Sequence, residues 1–352
     1  MQRDGRLQIM KDEKIKEFEI KEFDINRELR ELEEDKVFDE CGVVGVYAPG
    51  KADIARTVYF GLHSLQHRGQ ESAGIAVNRG GRIQYYKDMG LVQEVFNDEI
   101  IGRLQGDIAI GHVRYSTSGE SHAANAMPLV VYYKGGSLAL AHNGNLINAE
   151  ALRDEMQDRG AIFQTSVDSE VIAALIARFI RDNSIEESIM KTLELIRGAY
   201  ALVITSGGKL IGVRDPNGIR PLCIGRMKDG YVLSSENCIF SLFGAEFVRD
   251  VAPGEMVVIE DRELKSYRYC KNSRNAICSF EYVYLARPDS DIDGRSVYMA
   301  RSQSGRILAK EHPVEADMVI AVPDSGTVAA IGYADEAGIP FGEGLIKNRY
   351  VG

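Results

Sequence analysis

Cys41-Gly42-Val43-Val44-Gly45-Val46-Tyr47-Ala48 is an apolar, glycine-containing stretch that reads as a buried strand. It begins abruptly. The forty residues before it hold nine Lys/Arg, fourteen Asp/Glu and one Gly, half of the chain's net charge of −10. Ile25, Leu29 and Leu32 allow a short helix there, but not a core. The segment lacks the apolar run of a secretory signal and is too acidic for a transit peptide. It reads either as a solvated tail or as a leader whose removal exposes Cys41.

Outward from Cys41, strands and helices come in blocks. Ile54, Val58, Leu62 and Leu65 share one helix face. Strands are expected near 74–78, 82–86, 107–113 and 137–142, and helices near 148–158 and 169–181. Ser184 with Glu187 is a capping box that opens a helix with Ile185, Ile189, Leu193 and Ile196 on its core face. Ser206-Gly207-Gly208-Lys209 and Asp229-Gly230 mark hairpin turns. Strands, then helices, then strands describe a layered α+β domain with antiparallel sheets. After residue 275 the pattern changes. A helix near 297–311 leads to a buried-looking strand, Met318–Val322, then a Ser/Gly/Thr loop and an Ala-rich helix, as in a parallel α/β unit.

A chain of 352 residues accommodates about two domains. Its acidity gives no general footprint for nucleic acid, and no apolar run is long enough to span a bilayer. Five widely spaced cysteines, with no Cys-x-x-Cys, suit a reducing, cytoplasmic setting rather than a disulfide scaffold.

Few residues carry obvious chemistry. Taken alone, Cys41 is a small buried strand residue. As a new chain terminus it would gain a general base for its thiol, its own α-amino group. Asn143-Gly144 reads as a hairpin turn or as an amide and a backbone N–H that hold an oxyanion. Arg114 is either a surface charge or a fork for a carboxylate. Asp168 either caps a helix or faces an ammonium. Asp324-Ser325-Gly326-Thr327 opens a helix whose N–H groups could cradle a phosphate, with Lys347 and Arg349 nearby in sequence. Cys270 and Cys278 have no zinc spacing.

Together the strings CGVVGVY (41–47), LQHRGQESAG (65–74), GHVRYST (111–117), AHNGNL (141–146), TSVDSE (165–170), RDPNGIRPL (214–222), FEYVYLARPDSDIDG (280–294), VPDSGT (322–327) and IKNRYVG (346–352) closely resemble the amidophosphoribosyltransferase family. These are the glutamine phosphoribosylpyrophosphate amidotransferases of purine synthesis. The resemblance implies a propeptide or leader at 1–40. It implies a four-layer αββα N-terminal-nucleophile glutaminase domain at 41–272 and an incomplete phosphoribosyltransferase domain at 273–352. It implies that Cys41 attacks the glutamine amide and that Asn143 and Gly144 form the oxyanion hole. Arg114 and Asp168 then hold the glutamine carboxylate and ammonium, Arg68 lies on a loop beside them, and Asp324–Thr327 belongs to the phosphoribosyl site. Ammonia then displaces pyrophosphate from phosphoribosylpyrophosphate, giving 5-phosphoribosylamine. Mg2+ accompanies that substrate, purine nucleotides inhibit, and a homotetramer is the usual assembly.

Against the family's pattern the leader is long, and until it is cut Cys41 has no free amino group, so the chain as written reads as a zymogen. The sequence also stops where a substrate-covering loop begins in the family, so the glutaminase half alone is expected of it. Cys278 matches the first ligand of the [4Fe–4S] cluster found in some members. Two other readings stay open: another glutaminase-coupled synthase, and a non-catalytic fragment that associates with complete subunits.

Overall fold

The strand expected at Cys41 is β1 (Gly42–Tyr47) of a computed structural model that describes residues 41–51, 53–115 and 122–347. The leader at 1–40, Arg349 and the rest of 348–352 lie outside the described residues. The helix face at Ile54 becomes α1 (Ile54–Ser64). Three antiparallel strands follow, β2 (Ser72–Arg79), β3 (Arg82–Met89) and β4 (Ile108–Arg114). Next come β5 (Leu129–Tyr133) and β6 (Gly136–Leu146). Three helices succeed them: α2 (Ala149–Asp158), α3 (Asp168–Phe179) and α4 (Ile185–Leu195). The α4 capping box forms as read, with Ser184 Oγ accepting from the Glu187 N–H.

Strands resume as β7 (Gly198–Ser206) and β8 (Lys209–Arg214), joined by the Gly207-Gly208 turn. They continue as β9 (Cys223–Met227), β10 (Gly230–Ser234), β11 (Glu246–Asp250), β12 (Glu255–Glu260) and β13 (Glu263–Arg268). The β9–β10 turn is Lys228-Asp229, one residue earlier than the Asp-Gly signal placed it.

These strands make two sheets, in the orders β11-β9-β10-β1-β4-β2-β3 and β13-β12-β8-β7-β6-β5. Period-two alternation divides their side chains among three cores. Val44 and Val46 of β1 pack with Ile54, Val58 and Leu62 of α1. Val43 and Tyr47 pack with Ala139, Ala141, Ala201 and Val203 of the other sheet. The opposite face of that second sheet, including Leu202 and Ile204, packs with α3 and α4. The layers are therefore helix, sheet, sheet, helix, as the fold class required. At Gly45 the sheets approach so closely that a Cβ would lie 2.6 Å from Val203 Cγ1.

The chain then forms a single π-helical turn, Glu281–Leu285, and a short hairpin of β14 (Asp291–Ile292) and β15 (Arg295–Ser296). It continues through α5 (Val297–Glu311), β16 (Val319–Ile320), α6 (Thr327–Ala337) and β17 (Phe341–Gly342), with β16 and β17 parallel. The strand expected over Met318–Val322 is shorter than its apolar run, and it is not buried. Met318, Ile320 and Val322 are all exposed, because among the described residues β17 is the one strand paired with β16.

Candidate active site

Cys41 lies immediately before β1, and Arg114 ends β4. The two strands pair with Gly42 opposite Val113, which brings both residues to one end of the first sheet. The Cys41 thiol is buried and points at the Tyr115 carbonyl, 3.6 Å away. Burial pushes its pKa up to about 11, although the Tyr115 carbonyl contact, Arg114 and Arg68 oppose the rise and Asp168 adds to it. The charges of Arg114, Asp168 and Arg68 therefore all act on this one sulfur. Arg114 is buried rather than a surface charge, with its guanidinium 3.9 Å from Glu71.

The facing sheet supplies the amide. His112 of β4 reaches across to β6, its Nε2 2.9 Å from the His142 carbonyl. That contact requires the proton on Nε2, and burial depresses the ring's pKa to about 3, so His112 is neutral. Asn143 is the next residue along β6. It is fully buried, and both its Oδ1 and its Nδ2 lack a hydrogen-bond partner. A buried amide left unsatisfied costs about 1–3 kcal/mol, so packing does not explain why an asparagine stands there.

The Asn-Gly pair is not a hairpin turn. Both residues lie inside β6, with Asn143 opposite Ala201 and Gly144 opposite Tyr200. Gly144 takes a φ of +146°, and a Cβ there would lie 2.0 Å from the Ala199 carbonyl oxygen. The sequence rule failed because close strand approach, rather than chain reversal, demanded the glycine.

Asp168 is also not a cap. Val167 is the N-cap of α3, and Asp168 is the first helical residue. Its Oδ2 accepts the Leu146 N–H at 2.8 Å, and its Oδ1 lies 3.5 Å from His142 Nδ1 and 3.2 Å from Ser169 Oγ. Burial alone would raise its pKa. The His142 ring, the Leu146 N–H and Ser169 outweigh that and hold it below the ordinary aspartate value, so it is charged.

Arg68 departs from the expectation of a substrate-side loop. It is buried under Cys41, where its Nε donates to the Cys41 carbonyl at 3.1 Å. Nη1 donates to Glu236 at 2.7 Å and to Glu281 at 2.9 Å, and Nη2 donates to Glu281 at 2.6 Å. Its guanidinium thus serves the protein. Sequence spacing flagged neither glutamate, nor His112, His142 and Ser72, which place further buried polar atoms without hydrogen-bond partners around this end of the sheets. For the two histidines and Ser72 the signal was polar residues recurring in strands that otherwise read as apolar.

Asp324–Thr327 belongs elsewhere, in the loop from β16 to α6, where Gly326 caps the helix. Asp324 is exposed, 3.6 Å from Lys347 Nζ. Mg2+ takes one or two carboxylates together with phosphate oxygens, so Asp324 would serve it only in company with a substrate's phosphates. Cys278 is free and half-buried, and its backbone N–H donates to the Ile219 carbonyl. Among the described residues no group of three or more His, Cys, Asp or Glu could hold a metal ion, so the residues present do not fit a [4Fe–4S] cluster. No helix among them is long and apolar enough to cross a membrane.

The chain is similar in sequence and in fold to known proteins. A family model described as a glutamine amidotransferase domain matches residues 112–241. The amidophosphoribosyltransferase of Archaeoglobus fulgidus is 53% identical over 313 residues, covering 89% of this chain and 68% of its own length. That of Methanocaldococcus jannaschii is 49% identical, covering 89% of this chain and 70% of its own. The solved glutamine phosphoribosylpyrophosphate amidotransferase of Bacillus subtilis, complexed with ADP and GMP, superposes with a TM-score of 0.83 at 47% identity. That match covers 89% of this chain and 67% of the other.

Proposed function

Because the chain belongs to the amidophosphoribosyltransferase family, we propose that Cys41 is the nucleophile of a glutaminase site whose ammonia feeds phosphoribosylamine synthesis. The observation that carries this reading is the buried, unpartnered amide of Asn143, next along β6 from the His142 carbonyl that meets His112 of β4, the strand paired with the one that follows the buried Cys41 thiol. Cys41 Sγ attacks the side-chain carbonyl carbon of glutamine. The oxygen that gains the charge is held by Asn143 Nδ2 and the Gly144 N–H. Ammonia leaves, and water then releases glutamate from the thioester. Arg114 offers a two-pronged donor to the glutamine carboxylate, and the charged Asp168 faces its ammonium. At a thiol pKa of about 11, little thiolate exists near neutral pH, so a base must take the proton. Removal of residues 1–40 would supply one, the α-amino group of Cys41.

Residues 41–272 form the glutaminase part in this reading, and residues from 273 onward belong to the phosphoribosyl-transfer part. Phosphoribosylpyrophosphate carrying Mg2+, purine nucleotides as inhibitors, a cytoplasmic setting and a homo-oligomer complete the proposal. The chain spans about two thirds of its relatives' length.

The test is glutamate release by a chain that starts at Cys41, with Cys41→Ala alongside. Release that disappears in the variant is expected. A folded chain that releases none, or a variant that still does, would refute the assignment.

A further inference from the structure

The backbone of Cys41 is held by a cluster that reaches beyond the glutaminase part. The Cys41 carbonyl accepts from Arg68 Nε. Arg68 is aimed by two glutamates with no side-chain exposure, Glu236 and Glu281. Glu236 is anchored further by His67 at 2.8 Å, Ser290 Oγ at 2.6 Å and the Arg287 N–H at 2.9 Å. Glu281 makes the two-pronged contact, and it sits on the π-helical turn Glu281–Leu285. That turn is in turn fixed by Arg301 of α5, whose Nε and Nη2 donate to the Tyr282 and Ala286 carbonyls at 2.6 and 2.7 Å. A continuous hydrogen-bonded path thus runs from α5 through Glu281 and Arg68 to the residue that carries the reacting sulfur.

We propose that Glu281 is a positioning residue for the Cys41 nucleophile. It fixes the Arg68 guanidinium so that Nε holds the Cys41 carbonyl, and the glutaminase site is therefore completed by a segment C-terminal to residue 272. The inference rests on the glutaminase reading above. A guanidinium fork matches a carboxylate in one plane, so Glu281 sets the plane in which Nε points. Without it Arg68 keeps the Glu236 bond, about which it can swing. Displacing a reacting group by about 1 Å costs on the order of 10²-fold in rate. Glutamine itself touches neither Glu281 nor Arg68 in this scheme, so its binding should be spared.

The experiment uses the full chain, cut immediately before Cys41 by a site-specific protease, with glutamate release as the assay. For Glu281→Gln we expect kcat to fall about 30- to 100-fold, KM for glutamine to stay within about threefold, and Glu281→Asp to recover part of the loss. Asp293→Asn breaks another buried arginine pair, that of Arg214 at 2.7 Å. It serves as the control and should lower the unfolding temperature while leaving kcat unchanged. Unchanged kcat in Glu281→Gln would overturn the proposal. So would kcat and KM worsening together, or an equal kcat loss in Asp293→Asn, since either shows general loosening. A wild-type chain that releases no glutamate would instead refute the glutaminase reading beneath it.

Discussion

Asn143 sets stability against function within one side chain. Its amide is buried and both polar atoms lack partners, so the folded state bears a desolvation cost that a substrate oxyanion would relieve. Asn143→Ala removes that cost along with the donor. We expect the variant to unfold at a temperature no lower than wild type, while glutamate release falls by about 10²–10³-fold. Calorimetry and steady-state kinetics on the same preparation decide it. A large loss of stability would mean that the amide has a structural partner and that its emptiness is not catalytic preparation. Arg114 and Asp168 teach a related lesson. Each admitted a bland surface or capping role in sequence, and each is buried. Buried charges require a reason, because desolvation penalises the charged form.

At the scale of the element, periodicity and strictly local motifs were a sound guide, and the motif that depended on distant strands was not. The α1 and α4 faces and the β7–β8 hairpin are local, so the residues that determine them are adjacent in sequence. Asn143-Gly144 misled because a turn and a close strand approach ask for the same residue type. The apolar run at Met318–Val322 misled because burial needs neighbouring strands, which sequence pattern does not supply. The Arg68 cluster was illegible for a third reason: its partners lie 168 and 213 positions away. The glycines permit a direct test. Gly207 has a φ of +59° and open space where a Cβ would go, whereas at Gly144 a Cβ would lie 2.0 Å from a backbone oxygen. Gly207→Ala should cost about 1 kcal/mol, from conformation alone. Gly144→Ala should cost clearly more, because the obstructing atom is main chain of β7. Urea unfolding of the two variants compares them. Equal costs would sink the argument that β6 needs glycine for approach rather than for turning.

Across the whole molecule, the Arg68 cluster ties three distant parts of the chain together: the segment between α1 and β2, the residues just after β10, and the π-helical turn. Its acid response follows from charge. Burial by itself would raise the Glu236 pKa, but the contacts from His67, Arg68 and Ser290 hold it well below the ordinary glutamate value. A carboxylate depressed in the folded state binds fewer protons there than in the unfolded chain. Its stabilisation is therefore complete above the unfolded pKa, about 4.3, and is lost as pH falls below it. Glu236→Gln cannot titrate. Removing one partner of a buried ion pair costs roughly 3–5 kcal/mol, so at neutral pH the variant should be less stable by an amount of that order. The gap to wild type should hold from pH 7 to about 5 and narrow as the pH drops through 4 towards 3. Unfolding curves at each pH measure it. A gap that stays constant down to pH 3 would mean that Glu236 contributes through shape alone, and that its charge is not what joins Cys41 and its strand to the residues beyond 272.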